Sequence, residues 1–196
     1  MLLITAEAED VCINRNEMER RLGVEKNYND ELIELEKKRL MSLLSYRCAY
    51  IRTDIDLRKE NVVDFGFMLA ESRNLYKNLK GCNEAFVFAL TCGIAVDREL
   101  AKMKICSQAE FFVLDALASA AADSFCDYAA KKIQGKISCV PRFSPGYGDL
   151  SLTLQKPLLD RLDAQWLLGI SLSPSFLMTP MKSITAIMGI KNEKNN

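Results

Sequence analysis

Apolar and polar residues along this chain alternate, cluster and change period, and the changes of period divide it into helices and strands. After Asn16 apolar residues recur at helical spacing until Gly23, a residue that accepts the left-handed conformation closing a helix. From Asp30, a good N-cap residue, Ile33, Leu40 and Leu44 share one face with Glu34, Lys37 and Lys38 as polar neighbours, which predicts a helix to about Arg47. Residues 1–45 are therefore expected to form a helical N-terminal extension. The period then falls to two. From Ala49 to Leu57 small or apolar residues occupy alternate positions, predicting a strand with one dry and one wet face, as in an antiparallel sheet.

The apolar run Phe65 to Leu69 precedes a helix capped by Ser72 and closed by Gly81. Glu84 to Thr91 is nearly continuous in apolar residues and predicts a buried strand, after which Cys92-Gly93 turns the chain into an amphipathic helix around Val96 to Met103. Ser107-Gln108-Ala109-Glu110 is a capping box opening the longest helix, which runs to about Gln134 and stops at Gly135. Its middle, Ala116 to Ala122, is built of small residues that let a sheet or a ligand approach closely, and Asp123 is a polar exception beside it. Ile137 to Phe143 predicts a strand, Ser144 to Asp149 a loop, and Pro157 the first turn of a helix carrying Leu158, Leu159 and Leu162. A short strand over Gly169 to Leu172, a loop over Ser173 to Pro180 and a strand over Ser183 to Ile190 follow, the last with Ile184, Ala186, Met188 and Ile190 on one side. Residues 191–196 are polar and are expected to fray. Strands and helices mix irregularly with no repeat or linker, which predicts an α+β class and one domain over 1–196.

Composition narrows the chemistry. The 196 residues suffice for one well-filled core without metals or disulfides. Lysine plus arginine and aspartate plus glutamate each number 26, so no global field favours nucleic acid or anionic lipid. The start MLLITAEAEDV lacks a basic segment, and no apolar run approaches the ~20 residues of a spanning helix. The seven cysteines include no CxxC pair and several lie in apolar runs; they read as buried free thiols of a cytoplasmic protein. Histidine is absent altogether, which removes Ser-His and Cys-His nucleophiles, imidazole acid–base chemistry and most zinc or iron sites. Reactions with an already activated leaving group gain weight, because they need no proton transfer.

Candidate chemistry concentrates in Arg142-Phe143-Ser144-Pro145-Gly146-Tyr147. Pro145-Gly146 suits the central positions of a type II turn, proline pre-setting one dihedral and glycine accepting the positive φ that follows. Arg142 at the strand end supplies a fork for carboxylate or phosphate, and Tyr147 a hydroxyl and an electron-rich face that attracts a cation. Carboxylate and cation on one small ligand describe an amino acid, a betaine or S-adenosylmethionine. Thr91-Cys92-Gly93 before a helix offers either an anion-binding N-terminus or a simple turn. The glycine-rich and metal-binding motifs of nucleotide and zinc enzymes are missing.

Three ordered segments resemble the activation domain of cobalamin-dependent methionine synthase. Arg142 to Tyr147 is similar to its RPxPGY signature. Ala116-Leu117-Ala118, Ala122-Asp123 and Asp127-Tyr128 resemble its ALA…AE…EY helix, and Gly169 to Met178 its G-x-x-LTES[FY]-x-M loop, followed by a matching strand over 183–190. Residues 46–190 are similar to the core of this domain: the match is good from about 107 to 190, and from 45 to 106 the chain looks like free-standing versions of it. The sequence departs from the long enzyme's pattern in lacking the early aspartate of an Asp-Trp-Thr-Pro setting, in having Gly148 to Ser151 after the tyrosine, and in having Pro174 for the glutamate of LTES.

The resemblance implies an antiparallel or mixed twisted sheet packed with helices, one of them long and central. It implies S-adenosylmethionine binding, with Arg142 on the ligand carboxylate, Gly146 and Tyr147 lining the site, Phe176 and Leu177 as the downstream contact pair and Asp123 as the acidic helix position. It implies a role in reductive methylation of oxidised cobalamin, supported by flavodoxin or ferredoxin. A chain without histidine cannot carry the DxHxxG cobalamin site, so the cobalamin (vitamin B12) would sit on a partner methionine synthase or related corrinoid protein. A docking module that has lost the ligand, and an unrelated enzyme with a reactive cysteine, are the alternative readings.

Overall fold

The computed structural model describes residues 1–23 and 29–192. Its centre is a four-stranded antiparallel sheet formed by β1 (Leu2–Ala6), β2 (Tyr46–Asp54), β6 (Cys82–Thr91) and β9 (Ser183–Lys191), hydrogen-bonded in the order β1-β2-β6-β9. β6 lies between Arg47↔Thr91 to Asp54↔Glu84 on one flank and Glu84↔Ile190 to Thr91↔Ser183 on the other, with both its faces covered. That double burial explains its continuous apolar run. The period-2 pattern of β9 sorts its side chains: Ala186, Met188 and Ile190 enter one core and Ile187 the other.

Helices α1 (Arg15–Leu22), α2 (Asp30–Met41), α4 (Ile94–Cys106) and α5 (Gln108–Gln134) cover one face. Ala118, Ala120 and Ala121 of α5 are wholly buried in this layer, so the small-residue stripe lets neighbouring elements lie close to the long helix. The opposite face carries α3 (Arg73–Asn78), α6 (Gln155–Arg161), α7 (Ala164–Leu168), a three-stranded sheet of β3 (Asp56–Leu57), β4 (Val62–Asp64) and β5 (Leu69–Glu71), and the hairpin of β7 (Ser171–Leu172) and β8 (Met178–Thr179). The α+β class, the antiparallel sheet and the 27-residue α5 with Gly135 as its stop are as the sequence pattern predicts.

Several boundaries differ. The N-terminal part is not wholly helical: Leu2 to Ala6 pair with β2 as an edge strand, while Met18, Ile33 and Leu40 of the two helices enter the core. Asn14, rather than Asn16, caps α1 by accepting from the Glu17 amide at 3.2 Å. Asn29 caps α2, which ends at Met41 because Leu43 and Leu44 both bond back to the Leu40 carbonyl and Ser45 then donates to the Cys92 carbonyl at 2.9 Å. The following strand therefore starts at Tyr46. Its outer half is wet as expected, but Tyr46 and Cys48 are buried under α5. The box at Ser107 is half formed: its hydroxyl accepts from the Glu110 amide, while the Glu110 carboxylate reaches Arg39 at 2.9 Å. Thr91-Cys92-Gly93 is a turn, with the Gly93 amide held by the Thr91 hydroxyl at 3.1 Å. The expected fraying of 193–196 and residues 24–28 of the expected N-terminal extension lie outside the described residues.

Candidate functional site

The predicted strand over 137–143 exists only as two bridges, Cys139↔Ile190 and Phe143↔Ile187, along the outer edge of β9. Phe143 and Ile187 exchange both backbone hydrogen bonds at 2.8 Å. Continuing this antiparallel register would set Pro145 opposite Thr185, and proline has no N–H to donate. The ladder ends there, the chain turns away, and the edge of β9 from Ser183 to Thr185 opens onto a cleft of about 750 Å³.

Pro145 and Gly146 form the predicted turn. The Tyr147 amide donates to the Ser144 carbonyl at 3.2 Å, and Gly146 adopts φ 91°, which an L-residue avoids. A Cβ added at Gly146 would also meet the Leu152 Cδ1 at 3.1 Å. The loop is then tied down by Asp149, whose carboxylate accepts from the Ser72 hydroxyl and from the Arg73 and Asn74 amides at the start of α3. The Ser72 hydrogen bond, with these amides, holds the Asp149 carboxyl below its ordinary pKa despite some desolvation.

Arg142 lies on the α5 side of this segment and forms an ion pair with Asp127. Burial works against its charge, yet Cys126, Asp127 and Asp123 together keep its pKa above the ordinary arginine value. Asp123, one helical turn before Asp127, is bonded by the Arg21 Nη2 at 2.6 Å. Arg142, Asp123 and Tyr147 all line the cleft, Tyr147 with 70% of its surface exposed, and Gly146 shapes its turn without lining it.

Phe176 and Leu177 are placed elsewhere. Ser173 to Leu177 close on themselves: the Phe176 amide donates to the Ser173 carbonyl, the Ser173 amide to the Leu177 carbonyl, and Phe176 takes φ 61°. This tight tip turns Phe176 into a neighbouring groove of about 1050 Å³ that contains Trp166, and leaves Leu177 61% exposed. Met178, at the hairpin base, lines the cleft instead.

Sequence reasoning missed Gln155, Ser183, Ile184 and Thr185 as lining residues. The strand residues carry no local signal, since only the departure of 144–149 exposes them. Gln155 has one: it shares a helical face with Leu158, Leu159 and Leu162, a lone polar residue on an apolar stripe.

Burial pushes the thiols of Cys92 and Cys126 up to about 12, so neither supplies a thiolate nucleophile. No described helix is long and apolar enough to cross a membrane.

No protein-family profile and no curated protein matches the sequence. Among solved structures, the crystal structure of the MetH reactivation domain bound to AdoHcy is similar to this chain with a TM-score of 0.69 at 14% identity, covering 100% of this chain and 79% of that one. This chain has the reactivation-domain fold. The segments that resemble that domain in sequence fall, in this fold, on α5, on the turn beside β9, and on the β7–β8 hairpin with β9.

Proposed function

We propose that the cleft binds S-adenosylmethionine and that the chain serves, in the cytoplasm, as a reactivation subunit supporting reductive methylation of oxidised cobalamin on a partner methionine synthase or related corrinoid protein. The observation that carries this reading is the meeting of Arg142, Asp123 and Tyr147 in one cleft of a reactivation-domain fold. The cleft volume lies within the ~300–1,000 Å³ usual for small-molecule sites. When bound, S-adenosylmethionine supplies a methyl group already activated on a sulfonium.

The residues' task is then positioning. Arg142 holds the carboxylate, exchanging or sharing its pairing with Asp127. Asp123 faces the ammonium, and the Tyr147 ring lies against the cationic part of the ligand. No proton has to move at these side chains, in keeping with a chain that has no histidine. The same lack of histidine excludes a DxHxxG cobalamin site from this chain, so the corrinoid belongs to the partner, and the electrons to a flavodoxin or ferredoxin.

Calorimetry tests the reading. The wild type should bind S-adenosylmethionine, and Arg142→Ala should weaken binding about 10- to 100-fold, as expected for loss of a charge-assisted hydrogen bond. A wild type that gives no heat overturns it. One observation favours a second reading, a docking module without ligand: the Arg142 guanidinium is already engaged by Asp127. Co-purification with a corrinoid protein, with no thermal shift from S-adenosylmethionine, would select that alternative.

A further inference from the structure

Gln155 opens α6 from inside the protein. Only 6% of its surface is exposed, it lines the cleft, and its Oε1 is shut off from solvent without a hydrogen-bond partner among the described residues. Such an atom destabilises a fold, and a leucine or methionine at this position would extend the stripe of Leu158, Leu159 and Leu162 without that cost. Of the other polar groups of the cleft, Ser144, Tyr147, Ser183 and Thr185 bear neutral hydroxyls and two are charged. Arg142 and Asp123 carry opposite charges, which complement the zwitterionic amino-acid end of the proposed ligand. A neutral carboxamide complements a neutral group. The apolar lining nearby, Phe143, Pro145, Ile184 and Met178, offers faces against which a flat ring can lie.

We propose that Gln155 is the residue that reads the purine base: a turn of its terminal amide brings the unpartnered Oε1 to the cleft, where it accepts a hydrogen bond from the 6-amino group. A side-chain amide is suited to an adenine edge because donor and acceptor lie side by side on both partners. This rests on the reading of the cleft given above and adds the end of the ligand that the arginine turn leaves unassigned.

The test uses the full chain, S-adenosylhomocysteine, and the analogue whose purine lacks the 6-amino group. The wild type should prefer S-adenosylhomocysteine by about tenfold. Gln155→Leu should bind it about tenfold more weakly, lose the preference, and melt at a higher temperature than the wild type when ligand-free. Gain of stability with loss of affinity is a combination that a mere packing residue would not show. Gln155→Met, closer in shape, serves as the second variant with the same expectations. A leucine variant that keeps wild-type affinity, or a wild type that binds both compounds equally, overturns the role of Gln155 while leaving the cleft's reading intact. A wild type that binds neither compound overturns both.

Discussion

Two loops of this molecule carry sequence motifs of one activation-domain pattern, yet the fold treats them differently. Residues 142–149 begin on the sheet, where Phe143 exchanges two hydrogen bonds with Ile187, and end on a helix start, where Asp149 gathers three donors, the Ser72 hydroxyl of the cap and the first two amides of α3. Both ends are fixed to elements far apart in sequence, so the turn between them is held against the cleft. Residues 173–177 instead satisfy their polar groups among themselves, Ser173 alone bonding Phe176, Leu177 and Ser175. The hairpin base reaches the cleft through Met178 while its tip leans away. A motif residue thus enters a site when its segment is anchored to the scaffold on both sides. Resemblance of letters does not supply that anchoring.

The sharpest way to break the contrast is at the turn itself. Gly146→Val places a β-branched residue at φ 91° with its Cβ against Leu152, and should cost about 1–3 kcal/mol in denaturant unfolding and abolish ligand binding at the cleft. A variant of wild-type stability would show that the turn relaxes freely. A smaller effect is expected at the latch. Asp149→Ala should lower the melting temperature and speed proteolysis within 142–149.

Acid should imitate that substitution. Because the folded-state pKa of Asp149 lies below its ordinary value, its stabilisation is present above the ordinary aspartate range and is lost as the pH falls through the lowered folded value. The stability gap between wild type and Asp149→Ala should therefore be open at neutral pH and close in strong acid; a gap that stays open there contradicts the latch. The smallest effect is predicted at the other loop. Phe176→Ala and Leu177→Ala should each change S-adenosylmethionine affinity by less than about twofold, since neither side chain lines the cleft. A tenfold loss by titration would mean that the hairpin tip folds over the ligand on binding.

Much of the scaffold was legible beforehand. The continuous apolar run of β6, the alternation of β9 and the capped span of α5 each follow from burial or backbone chemistry that a short window contains. The missed β1 shows the limit of that reasoning. Leu2 and Leu3 are both exposed on an edge strand, so no alternation marks them, and only the partner β2 makes them a strand. The early end of α2 has a similar origin, because Ser45 is drawn away by the Cys92 carbonyl across the sheet.

The candidate site divides along the same line. From the chain alone came the absence of histidine, the type II turn at Pro145-Gly146 and the arginine before it, all consequences of residue chemistry and local dihedral limits. The tertiary structure decided that Asp123 and Arg142 share a cleft, that Gln155 joins them from the buried face of α6, and that Phe176 and Leu177 do not. Those placements depend on where the β9 ladder stops and which loop ends are anchored. Such facts are set by pairings between residues tens of positions apart, which the order of letters within any one segment does not encode.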